Sequence, residues 1–554
     1  MIDPDDPYFG ILKSLYADPL WRLTSGEVYK IAPADGTGIQ PFIPSKEQRA
    51  IYESLLLEGV KQLMLPKCRR PGFSTALGIF VLDQMIFNEG YQASLVDQTA
   101  SDASRKMERI VYVAYDNLPP FVKEDIRELK KNDSHLSISY KDGTVSDFWA
   151  GMDARGASND FLWLSEWSVI QFEDPKRSSR IRMGALPSAR HGKIVVESTW
   201  RGGKYGDVYE LIEPVLNGVS DDWKIMFTGW WQDKRNVSST AAIDDVARKY
   251  FTVNKPHFDA LGVTITEEQM RWWSAEKRKM GIYMNSESPS FLWEMWLSPV
   301  QGAIYAEAIE VARVQGRITS MPISERFLVH TAWDLGAPRQ TRVIYFQVIG
   351  EWIHIVDCDL GTDETIVQRV ARMKAKGYNY GSHYLPHDAM QTERSGKTLA
   401  TEMAAAWLKT APEMIGNYNA VTGKMDPSAD YKKCGLRFVP RTNDIWSGIN
   451  YGLQMFPEVK FRAPQCEDML SIMALYRTPT VKDGGVDRGE PIHDHSSHLC
   501  DAYRTLAEAR MGGLIEVASP MQITDKWSKI FPDQFGRGSG LQVLRGPTSM
   551  LGRR

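Results

Sequence analysis

The sequence predicts an α/β protein in which two sheet-based units follow one another, and three observations predict it. An apolar run stops at a cationic glycine turn and continues as a helix in residues 63–75, LMLPKCRRPGFST. Buried-strand patterns then alternate with helical ones as far as Thr199, which is the signature of a mainly parallel sheet. A second series, of strand, hairpin, helix and strand, begins near Ser324 and ends in a helix around Asp501.

Composition narrows the function classes. The 554 residues are 43% hydrophobic and 24% charged, a globular balance with enough apolar mass for several domains. The net charge of −3 means that a polyanionic partner must be met by local patches and not by a global field. Cys68, Cys358, Cys434, Cys466 and Cys500 are widely spaced and form no C-x-x-C. That argues against a disulfide framework or structural zinc and fits a reducing compartment. The start shows no secretory signal and no apolar run approaches 18 residues, so no membrane association is expected.

Residues 1–40 are polar and turn-rich and carry no recognisable chemistry. Ser45 is placed to cap a helix, KEQRAIYESLL, whose Gln48 can donate and accept together, as the edge of an adenine requires. The glycine turn follows. Strand, glycine turn, hydroxyl and helix is the order of a phosphate-binding loop, in which backbone N–H groups face an anion and the hydroxyl ligates Mg²⁺. The spacing departs from G-x-x-x-x-G-K-[ST]. Gly72 and Ser74 fit its end, but Phe73 stands where lysine belongs and Lys67 where the first glycine belongs. The loop works only if Lys67 reaches the phosphates from the other side of the turn. The alternative is a basic surface turn.

YQASLVDQ reads as a buried strand, followed by helical residues 99–118 and a hairpin around Lys141-Asp142-Gly143. FLWLSE then ends an apolar strand in Ser165-Glu166. A strand of this kind commonly ends in Asp-Glu in ATPases, where the Asp holds the Mg²⁺ water shell and the Glu orients the attacking water. Ser165 replaces that Asp, and Glu166 is the candidate catalytic carboxylate. Upstream, Arg155-Gly156 is either a phosphate sensor or a loop. KIVVESTW ends in Ser198-Thr199, a hydroxyl pair suited to sensing a γ-phosphate or to ordinary turn chemistry. Residues 220–320 are dense in tryptophan and read as a connecting subdomain, whose aromatics form core or stack on nucleic-acid bases.

The second series carries Asp334 at the end of a strand (AWDLG), Asp388 beside another strand end (LPHDA) and Asp501 on a late helix (SSHLCDAYR). Strand-end placement gathers distant carboxylates at one sheet edge, where they repel unless a cation neutralises them. Oxygen ligands favour Mg²⁺ or Mn²⁺, which can activate water for phosphodiester cleavage. Asp357, Asp359, Asp494 and His498 are further candidates that the sequence does not rank.

In their order, KCRRPGFST, LWLSEW, VESTW, AWDLG, LPHDA and SHLCDAYR resemble the large terminase subunits of tailed double-stranded DNA bacteriophages, over roughly residues 40–510. That resemblance implies a P-loop (ASCE-type) ATPase domain followed by a ribonuclease H-like nuclease domain. The implied boundaries are an extension (1–40), the ATPase (41–219), a connecting or lid subdomain (220–322), the nuclease (323–512) and a flexible tail (513–554). In one branch of the family the loop lysine is shifted to the start of the loop and an aromatic precedes the hydroxyl.

By this resemblance Lys67 contacts phosphate, and Arg70 acts in cis on the γ-phosphate. Arg69, Gly72, Phe73 and Thr75 complete the nucleotide loop. Ser74 ligates Mg²⁺, Gln48 meets adenine, Glu166 is catalytic and Ser198-Thr199 couples hydrolysis to movement. Asp334, Asp388 and Asp501 hold the nuclease Mg²⁺ or Mn²⁺. The implied cofactors are ATP and the divalent cation. The implied partners are double-stranded DNA, the portal of the procapsid, a small terminase subunit and further copies in a pentameric ring. The implied place is the host cytoplasm, outside the mature virion. Rival readings are a helicase or translocase fused to a nuclease, which requires a second ATPase-like domain, and a transposase- or integrase-like nuclease that works without ATP.

Overall fold

A computed structural model describes residues 14–33, 36–154, 158–204, 206–297, 300, 302–337, 339–391, 398–419, 424–442, 444–479 and 489–515. Arg155, Gly156 and the tail beyond 515 lie outside the described residues. The chain forms two compact units, the first running to Glu310 and recruiting Leu470–His493, the second comprising Val311–Met469 and the chain from Asp494.

In the first unit, helix α1 (Pro19–Thr24) is capped by Asp18, whose carboxylate accepts from the Leu20 N–H. Helix α2 (Lys46–Leu56) opens on the Ser45 capping box that the sequence predicts. Strand β1 (Gln62–Pro66) feeds the glycine turn and α3 (Phe73–Phe87), which is almost wholly buried. Then come β2 (Gln92–Val96), α4 (Ala100–Lys106), β3 (Ile126–Asn132), β4 (His135–Tyr140), β5 (Val145–Gly151), β6 (Phe161–Ser165), α5 (Trp167–Glu173), β7 (Lys193–Ser198) and β8 (Lys224–Ile225).

The strands order as β8-β1-β7-β6-β2-β5-β4-β3. The run from β8 to β5 is parallel throughout, and the β4 and β3 edge is antiparallel. Strand β7 therefore lies between the loop strand β1 and the Glu166 strand β6, with β2 beyond. This is the ASCE-type arrangement, and it puts the carboxyl ends of β1, β7 and β6 side by side.

Residues before 40 are not peripheral in this unit. Leu23, Val28 and Tyr29 join the core that holds α3 and β2. Arg22 donates to the buried Asp83 of α3 from Nε at 2.7 Å and Nη2 at 2.8 Å, and the Tyr29 hydroxyl donates to the same carboxylate at 2.7 Å. The tryptophan-rich segment supplies α6 (Asp245–Ala260) and α7 (Glu267–Met280). Trp230, Trp273, Phe251 and Phe258 pack there as core, with Trp272 stacked on Trp230.

The second unit contains β9 (Ile318–Thr319), β10 (Val329–Asp334), β11 (Arg342–Ile349), β12 (Trp352–Asp359), α8 (Ile366–Ala375), β13 (Tyr380–Pro386), α9 (Leu399–Leu408), β14 (Leu436–Val439), α10 (Ile445–Met455), β15 (Val459–Arg462) and α11 (His495–Met511). Its sheet orders as β9-β15-β12-β11-β10-β13-β14. The three strands β10, β11 and β12 form an antiparallel meander, and β13 and then β14 add parallel on the other side of β10. Three antiparallel strands extended by two parallel ones beyond the first is the ribonuclease H-like order.

Because Asp83 neutralises a guanidinium that is 4% exposed, Asp83→Ala leaves Arg22 buried and unpaired. Chemical denaturation of this variant is expected to show a loss of about 3–5 kcal/mol in the first unit. A loss under about 1 kcal/mol would show that the α1–α3 clamp is not structural.

Candidate functional sites

The glycine turn is built by its neighbours. Gly72 takes φ +78°, and a Cβ there would come within 2.6 Å of Gln48 Nε2. Gln48 donates from Nε2 to the Gly72 carbonyl at 2.7 Å and accepts the Ser45 N–H at 2.8 Å. Both ends of the amide are thus used inside the protein, where the sequence suggests an adenine edge.

The turn amides are also committed. Lys67, Cys68 and Arg69 donate to the carbonyls of Ser198 (3.0 Å), Thr228 (2.9 Å) and Glu287 (2.8 Å). For these three amides the expectation that backbone N–H groups of the loop face an anion does not hold, since each is turned to a carbonyl of the protein. The amides of Phe73, Ser74 and Thr75 precede the first intrahelical bond of α3, from the Ala76 N–H to the Gly72 carbonyl at 3.2 Å, and they form the donor end. Phe73 itself is core. Arg69 pairs with Glu287 at 3.2 Å, and Arg70 is exposed with φ +64°.

Lys67 points back across the sheet end. Its ammonium donates to Glu166 Oε1 at 2.8 Å and lies 3.2 Å from Glu197 Oε2. Burial opposes its charge, but Glu197 and Glu166 outweigh burial and hold the ammonium above its ordinary value. Glu166 sits one residue past β6 with φ +54°, a left-handed conformation that is costly for a side chain. Its N–H donates to the Glu197 carbonyl at 2.8 Å. Its Oε2 accepts the Thr199 N–H and hydroxyl, each at 2.9 Å, and the Ser198 hydroxyl at 3.3 Å. The carboxylate is therefore aimed by the two residues that the sequence singles out at the end of β7.

Glu197 is the residue that sequence reasoning passes over. It is fully buried, and its Oε1 accepts the Ser74 hydroxyl at 3.0 Å and the Ser165 hydroxyl at 2.9 Å. Burial pushes its carboxyl up, but Lys67, Lys106 and these two hydroxyls bring it below the usual range. Lys106 at the end of α4 donates to the Ser165 hydroxyl, pairs with Asp97 Oδ2 at 2.6 Å and lies 4.0 Å from Glu197. Burial raises the Asp97 carboxyl in spite of that ammonium. The only signals in the sequence are a charge inside the apolar run KIVVES and an aspartate just past β2. Beside Glu166 opens a cavity of about 380 Å³ lined by Asp97, Asp102, Arg105, Lys106 and Arg109.

The second unit brings its predicted aspartates to one edge. Asp334 ends β10, Asp388 lies in the turn His387–Met390 after β13, and Asp501 is on α11. His498 Nδ1 lies 3.1 Å from Asp334 Oδ2, and Arg504 lies 3.2 Å from Asp501 Oδ1. Burial raises the Asp334 carboxyl, His498 and Arg504 oppose the rise, and the Asp388 charge adds to it. Among the described residues no three His, Cys, Asp or Glu side chains are gathered closely enough to grip a metal ion. In this arrangement Asp334 is engaged by His498 and Asp501 by Arg504.

The other candidates have partners of their own. Asp357 is held by Lys376 and by the Tyr378 hydroxyl at 2.9 Å. Asp359 is buried under Arg369 and Arg372. Asp494 caps α11 by accepting the Ser496 N–H at 2.9 Å.

No protein-family model matches the sequence, and no curated protein is significantly similar to it. Solved structures are similar. The HK97 bacteriophage large terminase is 12% identical over 88% of this chain and 99% of its own, with a TM-score of 0.38. The large terminase of the thermophilic bacteriophage D6E is 12% identical over 85% of this chain and 100% of its own, with a TM-score of 0.31. The ATPase domain of the Thermus phage P74-26 large terminase is 18% identical over 40% of this chain and 91% of its own, with a TM-score of 0.29. All three are large terminases or a domain of one. The superpositions are loose, so the fold assignment rests on the strand orders given above.

Lys106→Met would leave the buried Asp97 carboxylate without its ammonium, at an expected cost of about 3 kcal/mol near neutral pH. A carboxyl raised by burial favours the fold below its unfolded value, and that contribution is lost as pH rises through the folded value. The variant's deficit should therefore shrink on acidification from about pH 8 to pH 5 in denaturant titrations. A deficit independent of pH would contradict the pairing.

Proposed function

We propose that this chain is a large terminase subunit, an ATP-driven motor that moves double-stranded viral DNA into a procapsid and a nuclease that cuts the DNA concatemer. The observation that carries the reading is the placement of Glu166 between Lys67 and Thr199, at the carboxyl edge of an ASCE-type sheet. The donor set suits a nucleotide, since the Lys67 ammonium and the first amides of α3 match phosphate oxygens and the Ser74 hydroxyl matches a hard cation. ATP with Mg²⁺ supplies the transferable phosphoryl group when bound. Lys67 would exchange Glu166 and Glu197 for phosphate. Glu166, still held by Thr199 and Ser198, would orient the attacking water. A change at Glu166 then passes directly to the end of β7, which offers a route from hydrolysis to movement. Arg70, exposed on the turn, is the loop arginine available to the γ-phosphate.

For the second unit the proposal assigns Asp334, Asp388 and Asp501 to cleavage. They would hold Mg²⁺ or Mn²⁺ once His498 and Arg504 give up Asp334 and Asp501. The ribonuclease H-like strand order favours this over the helicase reading, which needs a second motor sheet. Portal, small subunit, a homo-oligomeric ring and the host cytoplasm belong to the same proposal.

Lys67→Ala and Glu166→Ala are expected to lower DNA-stimulated ATP hydrolysis by about 100-fold or more while sparing Mn²⁺-dependent nicking. Asp334→Ala should do the opposite. Loss of ATP hydrolysis with cleavage intact in Asp334→Ala would overturn the assignment of two sites. Asp357→Asn, at a carboxylate that accepts from Lys376, the Tyr378 hydroxyl and the Cys358 N–H, should leave both rates within about 2-fold; a collapse of nicking would return Asp357 to the active centre.

A further inference from the structure

Strand β6 ends in Ser165, with Glu166 one residue beyond, so the position next to the catalytic carboxylate lacks the aspartate that usually orders the cation's water shell and accepts the loop hydroxyl. The neighbouring strand fills that gap. Glu197 is paired in register with Ser165 on β6 and with Leu65 on β1, so its side chain rises between the loop strand and the Glu166 strand. Its carboxylate accepts the Ser74 hydroxyl at 3.0 Å, the bond that an aspartate at 165 would otherwise receive. It accepts the Ser165 hydroxyl at 2.9 Å as well, so the short side chain at 165 leaves room for Glu197 and supports it. An aspartate at 165 would place a second carboxylate against Glu197, and the two would repel. With serine at 165 and glutamate at 197, the carboxylate stands one strand to the side of its usual place.

We propose that Glu197 supplies the carboxylate that orders the nucleotide's divalent cation, through the Ser74 hydroxyl and the cation's water shell. The proposal rests on the nucleotide reading above and identifies the residue that completes it. Charge supports it. The cluster holds Glu166, Glu197 and Asp97 against Lys67 and Lys106. When Lys67 turns to phosphate, a fully buried Glu197 keeps only the more distant Lys106, at 4.0 Å. Such a carboxylate is costly unless another cation takes the place of the ammonium.

The test is calorimetric titration of the full chain with ATPγS, in Mg²⁺ and in EDTA. The unmodified chain should bind more tightly in Mg²⁺. Glu197→Gln should lose about 10-fold or more of the gain from Mg²⁺, taken as the ratio of its own affinities in Mg²⁺ and in EDTA. Ser165→Asp combined with Glu197→Gln, which returns the carboxylate to β6, should regain the gain to within about 3-fold. Should Glu197→Gln not fold, Glu197→Asp serves, and its shorter reach should cut the gain by about 3-fold or more. A full Mg²⁺ gain in either single variant overturns the assignment. No binding of ATPγS by the unmodified chain overturns the nucleotide reading itself, and a lost gain that Ser165→Asp fails to restore overturns the exchange between strands.

Discussion

The first unit depends on one ammonium shared by two carboxylates. Lys67 leaves β1 against the grain of an ordinary phosphate loop, and Glu166 and Glu197 draw it across the sheet edge. That pairing permits a glutamate with left-handed backbone at the end of β6 and a buried glutamate in the middle of the sheet. Both would be expensive without it. It also accounts for the displaced lysine. From the start of the turn, Lys67 reaches the carboxyl ends of β7 and β6 directly, while the buried Phe73 anchors the helix that a lysine would otherwise have to leave.

In the proposed function the same pairing would tie binding to movement. A cation held by two carboxylates is readily exchanged for phosphate, since each partner has other donors in place. Glu166 keeps Thr199 and Ser198, and Glu197 keeps Ser74 and Ser165. The site is therefore organised before any ligand arrives, which lowers the cost of reorganisation during reaction.

Much of this was legible in the residues. Strand–turn–helix order, Gly72, Ser74, Glu166 and the Ser198-Thr199 pair could be read because each stands at an element's end, where local pattern and chemistry coincide. Glu197 could not, because a charge inside an apolar strand looks like a lapse of pattern until the neighbouring strands are known. Lys106 and Asp97 pair across nine residues, but the Ser165 and Glu197 that Lys106 also meets are distant in sequence, so their place in the site follows only from the sheet. Gln48 was found as a residue beside the loop, but its use as a cap and a brace for Gly72 follows from the fold. In the second unit Asp357, Asp359 and Asp494 were indistinguishable from Asp334 by type and spacing. In the fold each has a partner of its own, Lys376 for Asp357, Arg369 with Arg372 for Asp359 and the Ser496 amide for Asp494, as Asp334 has His498.

The Lys67 turn and the Glu166–Glu197 edge are proposed to form a nucleoside triphosphate site. A crystal structure of the chain with ATPγS and Mn²⁺, with anomalous scattering to place the metal, tests it most directly. A manganese peak is expected beside Ser74 Oγ with Glu197 facing its water shell, and Lys67 moved from Glu166 to the phosphates. Triphosphate density elsewhere, with Lys67 still bonded to Glu166, would contradict it.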